Sequence, residues 1–213
     1  MKLIYPGYDV LSKRHSQSWD EPTRQVIDAR LAIGGAPRFL NEAQWQTLDA
    51  VCQRILPQPI DRPPVPLAAL VDNKLLNDRG DGYRDARLPP LRQAWQLGLT
   101  ALDAEAQALD GRGFTGLTAA QQDALLSAMQ RNELKHSVWK SMPCVVFFSH
   151  RLIHDITSAY YAHPTAWSEI GFGGPANPRG YVRMGPDSRD PWEPMAAKPG
   201  AQRKAEKRNR HVG

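Results

Sequence analysis

The chain has 213 residues, with 27 lysines and arginines against 22 aspartates and glutamates, and only two cysteines. That length lets one domain bury most of its apolar surface without disulfide staples. Cys52 and Cys144 stand far apart and in no CxxC pair, which excludes the zinc, iron–sulfur and c-type haem signatures.

Taken in order, the first residues carry no targeting segment. MKLIYPGYDVLSKRHSQSWDE lacks an apolar run of secretory length, and Pro6 interrupts it. Nowhere does the sequence approach the roughly 20 apolar residues of a membrane span. The expected location is cytoplasmic, or periplasmic if the chain is exported on a partner's signal. Residues 1–37 read as an extended N-terminal arm with Tyr5, Tyr8 and Trp19 among polar residues, a short helical candidate over 22–31 and a GGAP break at 34–37. Three large aromatics in so short a polar stretch argue for docking, on the chain's own domain or on a partner, against simple disorder.

Asn41 and Gln44 make a capping-box-like pair, and Trp45, Leu48, Val51, Cys52, Ile55 and Leu56 follow with helical spacing until Pro57 and Pro59. The connector PQPIDRPPVP leads to a second helix over 67–77. In the loop NDRGDGYRDARLPP, Asp78, Asp81 and Asp85 lack both the EF-hand spacing and its closing glutamate, so a solvated loop is expected. Pro90 opens a long helix to about residue 109, with Leu91, Trp95, Leu99, Leu102 and Ala106 as its buried stripe. Thr118 and Gln121 cap the next helix, whose apolar face is Leu125, Leu126 and Met129. The most apolar run, 143–162, places Val145, Phe148, Leu152, Ile156 and Tyr160 at helical spacing and predicts the central core helix.

That helix delivers the chain into SAYYAHPTAWSEIGFGGPANPRGYVRM, residues 158–184. Its prolines and glycines break regular structure, so an ordered, aromatic-rich docking loop is expected. A DPWEP box at 190–194 adds a second strip. The positive charge lies beyond it. Lys198, Arg203, Lys204, Lys207, Arg208 and Arg210 oppose only Glu206, which accounts for the whole formal charge of +5 and leaves the preceding residues balanced. Residues 196–213 are expected to be a solvated, disordered tail, in weak contact at most with nucleic acid or an acidic surface. The predicted fold is mainly α: an irregular bundle of about five or six helices over 38–195, with an extended arm before it and aromatic Gly/Pro-rich loops near its end.

No motif supplies catalytic residues. GxSxG is absent, and the glycines of GFGGP lack the strand before and the helix after that a dinucleotide fingerprint needs. His150 and His154 share a helix face and could hold a metal with Asp155 or His163, yet no ExxH pair joins them. Aromatic residues and arginine are favoured in interface cores. Tyr160, Tyr161, Pro164, Trp167, Phe172, Arg179, Tyr181 and Trp192 are therefore the expected partner contacts, the competing reading being that they pack on their own bundle.

The order of these pieces resembles the gluconate 2-dehydrogenase subunit 3 family. The resemblance covers about residues 39–184: the proline-ended helix AVCQRILPQP, the stretch GLTALDAEAQALDGRGFTGLTAAQQDALL, and above all AYYAHPTAWSEIGFGGPANPRGY. It implies a non-catalytic small subunit of a bacterial sugar or sugar-acid dehydrogenase, with no cofactor of its own. The implied partner is a large FAD-binding flavoprotein of the glucose–methanol–choline (GMC) type, with a cytochrome c often receiving the electrons. The implied role is assistance in folding, FAD loading and export of that partner. The family's twin-arginine leader has no counterpart here, because Lys13-Arg14 is not followed by an apolar region. A stand-alone metalloprotein using His150 and His154, and a transient chaperone for the flavoprotein, are the competing functions.

Overall fold

The computed structural model describes residues 4–60, 62–175, 190 and 192–212. Among the described residues there are nine α-helices and no strand, so the chain is mainly α, as its periodicity predicts. In chain order the helices are α1 (Glu21–Leu31), α2 (Glu42–Ile55), α3 (Leu67–Leu76), α4 (Leu91–Asp110), α5 (Ala119–Gln130), α6 (Cys144–Phe147), α7 (His154–Tyr161), α8 (Pro164–Ile170) and α9 (Gln202–Asn209). They fall into two compact units. Met1–Ala32 and Tyr161–Gly213 form a terminal unit, and Ile33–Tyr160 forms a central unit.

In the central unit the buried carboxylate of Asp72 accepts hydrogen bonds from the backbone N–H groups of Arg38, Phe39 and Leu40, at 2.8, 3.2 and 2.9 Å. These bonds fix the approach to α2 and satisfy a carboxylate that would otherwise be costly to bury. Both expected capping boxes are complete, Asn41–Gln44 at α2 and Thr118–Gln121 at α5. From that start α2 packs on α3, α4 and α5. Gly111, in the left-handed conformation, ends α4.

The apolar run predicted as one helix is built of α6, a π-helical turn over Phe148–Ile153, and α7. A π turn takes in extra residues and shifts the register. Val146 and Phe147 are buried, while Val145, expected in the stripe, is only partly so; Phe148, Leu152, Ile156 and Tyr160 are buried as expected. Phe147 meets Trp95 edge-on, with ring centroids 5.6 Å apart, and lies 6.0 Å from Trp139.

The terminal unit is built from a 3-10 helix (Val10–His15), α1, α8 and α9, around a core of Tyr8, Val10, Trp19, Ile27, Trp167 and Val212. Here the structure differs from the sequence reading in three places. The arm expected to be extended contains the 3-10 helix, which packs against α8. The stretch 158–184, expected as an ordered aromatic-rich loop, begins with the end of α7 and holds the whole of α8, and its residues 176–184 lie outside the described residues. The residues that look like breakers are its punctuation. Pro164 sits at the first helical position, where a missing N–H costs nothing, and Gly171 closes the helix at φ +69°. The segment 196–213, expected to be disordered, contains α9. Ala205, Asn209 and Val212 recur at helical spacing and turn inward, so α9 gains a packed face despite its charge. Asn209 is fully buried; its amide donates to the carbonyls of Pro6 and Met195, both at 3.0 Å, and accepts from the Met195 N–H at 2.7 Å. Burying that polar side chain with its bonds satisfied fastens the tail to the arm.

Candidate partner interface

The aromatic stretch is organised by Trp167, which is 3 % exposed. Its indole N–H donates to the carbonyl of Tyr161 at 2.7 Å, and Phe172 meets its ring edge-on at 5.5 Å. The guanidinium of Arg30 lies 5.4 Å from the ring centroid and donates to the carbonyl of Ala162 at 2.7 Å. His163 caps α8, its Nδ1 accepting from the N–H of Thr165. Burial, and then the nearby charge of Arg30, hold this imidazole below its ordinary pKa of 6.5.

The loop after α8 is fixed from the N-terminal side. Lys13 and Trp19 both donate to the carbonyl of Gly173, at 2.7 and 3.3 Å, and Ser168 accepts from the N–H of Val10 at 3.1 Å. At Gly171 a β-carbon would sit 2.5 Å from the ring of Tyr5. The glycines of GFGGP thus serve close packing rather than a phosphate cradle. Lys13 is 2 % exposed. Desolvation brings its ammonium down to about 8, against the opposing pull of Glu193 and Asp190.

The expected contact residues separate into two groups on this frame. Tyr160, Pro164 and Trp167 are buried, and Tyr160 accepts a 2.9 Å hydrogen bond from Arg62. These three serve the interior, because a large apolar ring gains more from a pocket in its own fold than from solvent. Tyr161 and Phe172 are 52 % and 44 % exposed, and Trp192 is half-buried. Arg179 and Tyr181 lie outside the described residues. The sequence reading missed Ile170, 47 % exposed at the end of α8. Its place three residues after Trp167 and just before the terminating glycine was the available signal. It also missed Arg30, for which sequence offered none.

The two candidate metal histidines belong to the central unit. His154 Nδ1 lies 3.2 Å from Asp155 and 3.8 Å from Asp81, while His150 faces Asp85 at 4.0 Å. Asp81, His154 and Asp155 are close enough to share an ion. The space between the two carboxylates is taken by Lys74, whose Nζ donates to both at 2.9 Å. Although burial opposes it, these bonds hold the lysine above its ordinary pKa, and Asp155 also accepts from the indole N–H of Trp95 at 2.8 Å. The cluster is a charge-compensated network in which a metal would have to displace an ammonium group. Its neighbour Asp85 pairs with Arg87, and Asp78 faces Arg92.

An open cleft of about 530 Å³ in the same unit is bordered by Trp45, Leu56, Pro57, Val65 and Leu67. Its one thiol, Cys52, is driven well above the ordinary range by burial and then by Asp49, which keeps it protonated and unreactive.

Capped helices, a braced aromatic segment and a compensated polar cluster define a module that is helical throughout its described elements, with Trp19, Trp95, Trp139 and Trp167 turned inward. A family model described as gluconate 2-dehydrogenase subunit 3 matches residues 42–174, more than half of the chain, and the chain belongs to that family. The match runs from the first residue of α2 through α8 to the glycines behind it. Neither curated proteins nor solved structures give a significant match. No helix among the described residues is long and apolar enough to cross a membrane.

Proposed function

We propose that this chain is a non-catalytic small subunit that binds and stabilises a GMC-type, FAD-dependent sugar or glycoside dehydrogenase catalytic subunit and assists its folding, FAD loading and export. Family membership carries the reading, since the family is described as a subunit of gluconate 2-dehydrogenase. The partly exposed side chains of Tyr161, Ile170 and Phe172, carried on the segment that Trp167 organises, support it. Aromatic and aliphatic side chains held partly exposed on a rigid frame bind with little entropy cost. FAD belongs to the partner, a cytochrome c is the expected electron acceptor, and compartment follows the partner's export signal. Lys74, seated between Asp81 and Asp155, weighs against the metalloprotein alternative.

Deleting this chain from its native cells should leave the flavoprotein poorly recovered and depleted of FAD. Full recovery of FAD-loaded enzyme in the deletion strain would overturn the proposal. Mature enzyme that purifies without this chain, yet fails to form in the deletion strain, would replace the subunit reading with the transient chaperone.

A further inference from the structure

The charge of this protein is concentrated on one helix face. Along α9, Ala205 and Asn209 point inward, while Arg203, Lys204, Lys207 and Arg208 are exposed. The four follow i, i+1, i+4, i+5 spacing and make two parallel rows on one side of the helix. No acid stands among them: Glu206, the one acid of the helix, is tied to Arg210. Among the described residues none of the four is paired with a carboxylate. Elsewhere Arg14, Arg24, Arg54, Lys74, Arg87, Arg112 and Arg131 each have one. Eight helical residues span about 12 Å, close to the Debye length of roughly 8–10 Å, so the fields of the four cations add.

We propose that Arg203, Lys204, Lys207 and Arg208 form an electrostatic docking strip for an anionic lipid surface. Residues 202–212 include no Phe, Trp or Tyr and no exposed aliphatic side chain, which a specific protein contact or base stacking would favour. Its apolar positions, Ala205 and Val212, are used inside the terminal unit, so the helix rests on headgroups without inserting. A flat plane of headgroups needs only one basic face. A nucleic-acid duplex engages a wider basic surface, and the residues before the tail are charge-balanced. The inference is independent of the flavoprotein reading.

The test is co-sedimentation of the full chain with vesicles of phosphatidylcholine alone or mixed with phosphatidylglycerol. Binding should require phosphatidylglycerol and fall steeply as salt rises. Each of Arg203→Gln, Lys204→Gln, Lys207→Gln and Arg208→Gln should weaken it by about fivefold. Equal binding to both vesicle types, binding unaffected by salt, or binding retained when all four are neutralised would overturn the proposal. So would binding to duplex DNA without binding to the anionic vesicles.

Discussion

The indole N–H of Trp167 is bonded to the carbonyl of Tyr161, and this bond turns the larger ring inward while the ring of Tyr161 stays half in solvent. One residue braces the edge and the other presents it. Trp167→Ala should therefore cost the terminal unit about 3–5 kcal/mol in a denaturant melt. Tyr161→Ala should change stability by no more than about 1 kcal/mol, and Phe172→Ala, which also removes the edge-on contact with Trp167, by about 1–2 kcal/mol; each should weaken capture of the flavoprotein by about 2 kcal/mol. Unchanged capture by the Tyr161 and Phe172 variants would show that this edge is not the contact.

Gly98 on α4 leaves room for the ring of Phe147, since a β-carbon there would fall 2.2 Å from it. Gly98→Ala should destabilise the central unit by about 1–3 kcal/mol or more, read as a lower urea midpoint. Phe147→Leu in the same background should restore part of the loss, because it removes the atoms that collide. A neutral Gly98→Ala would mean that α4 and α6 separate easily.

Two groups make the terminal unit sensitive to pH in the same direction. The folded pKa of His163 lies below 6.5, so on acidification the unfolded chain takes the proton first. Stability present above pH 6.5 is then lost as pH falls through the lower folded value. Lys13 is held near 8 against an ordinary 10.5, so stability should also rise between those two values. Denaturant melts followed by tryptophan fluorescence should show both slopes. His163→Asn should flatten the acidic one and Lys13→Met the alkaline one; slopes that survive these substitutions would assign them to other groups.

Lys74→Met removes the ammonium shared by Asp81 and Asp155 and leaves the buried Asp155 carboxylate facing the indole N–H of Trp95 and the imidazole of His154 without its cation. The expected loss is about 3–5 kcal/mol in a thermal or urea melt. Zinc added to the wild-type chain should not raise its melting midpoint, since the lysine fills the space between the ligands. A clear rise would revive the metal reading of His154.

What sequence made legible was local. Asn41–Gln44 and Thr118–Gln121 are capping boxes whose two partners are three residues apart, and both form as expected. The long stripe from Leu91 to Ala106 is strictly periodic and buries as predicted. The register at Phe147 was not legible, because the π turn at Phe148–Ile153 is an adjustment to packing rather than to local pattern. With seven residues, α8 is shorter than a periodicity window, and its Pro164 and Gly171 read as breakers when they are a start and a stop. In α9 and just after it, basic residues hide three inward positions, Ala205, Asn209 and Val212, and the partner of Asn209 in the N-terminal arm lies 203 residues away at Pro6. For the interface, aromatic residue types announced that large rings need cover. They could not say that Trp167 is covered by Arg30 and Phe172 of its own unit while Tyr161 is left outside.

The most direct measurement is an affinity pull-down of this chain from its native cells, with an absorbance spectrum of the eluate. The account predicts one large partner in stoichiometric amount carrying flavin bands, with haem bands if the electron acceptor remains attached. A colourless, monodisperse single chain, obtained from cells that make active dehydrogenase, would contradict it.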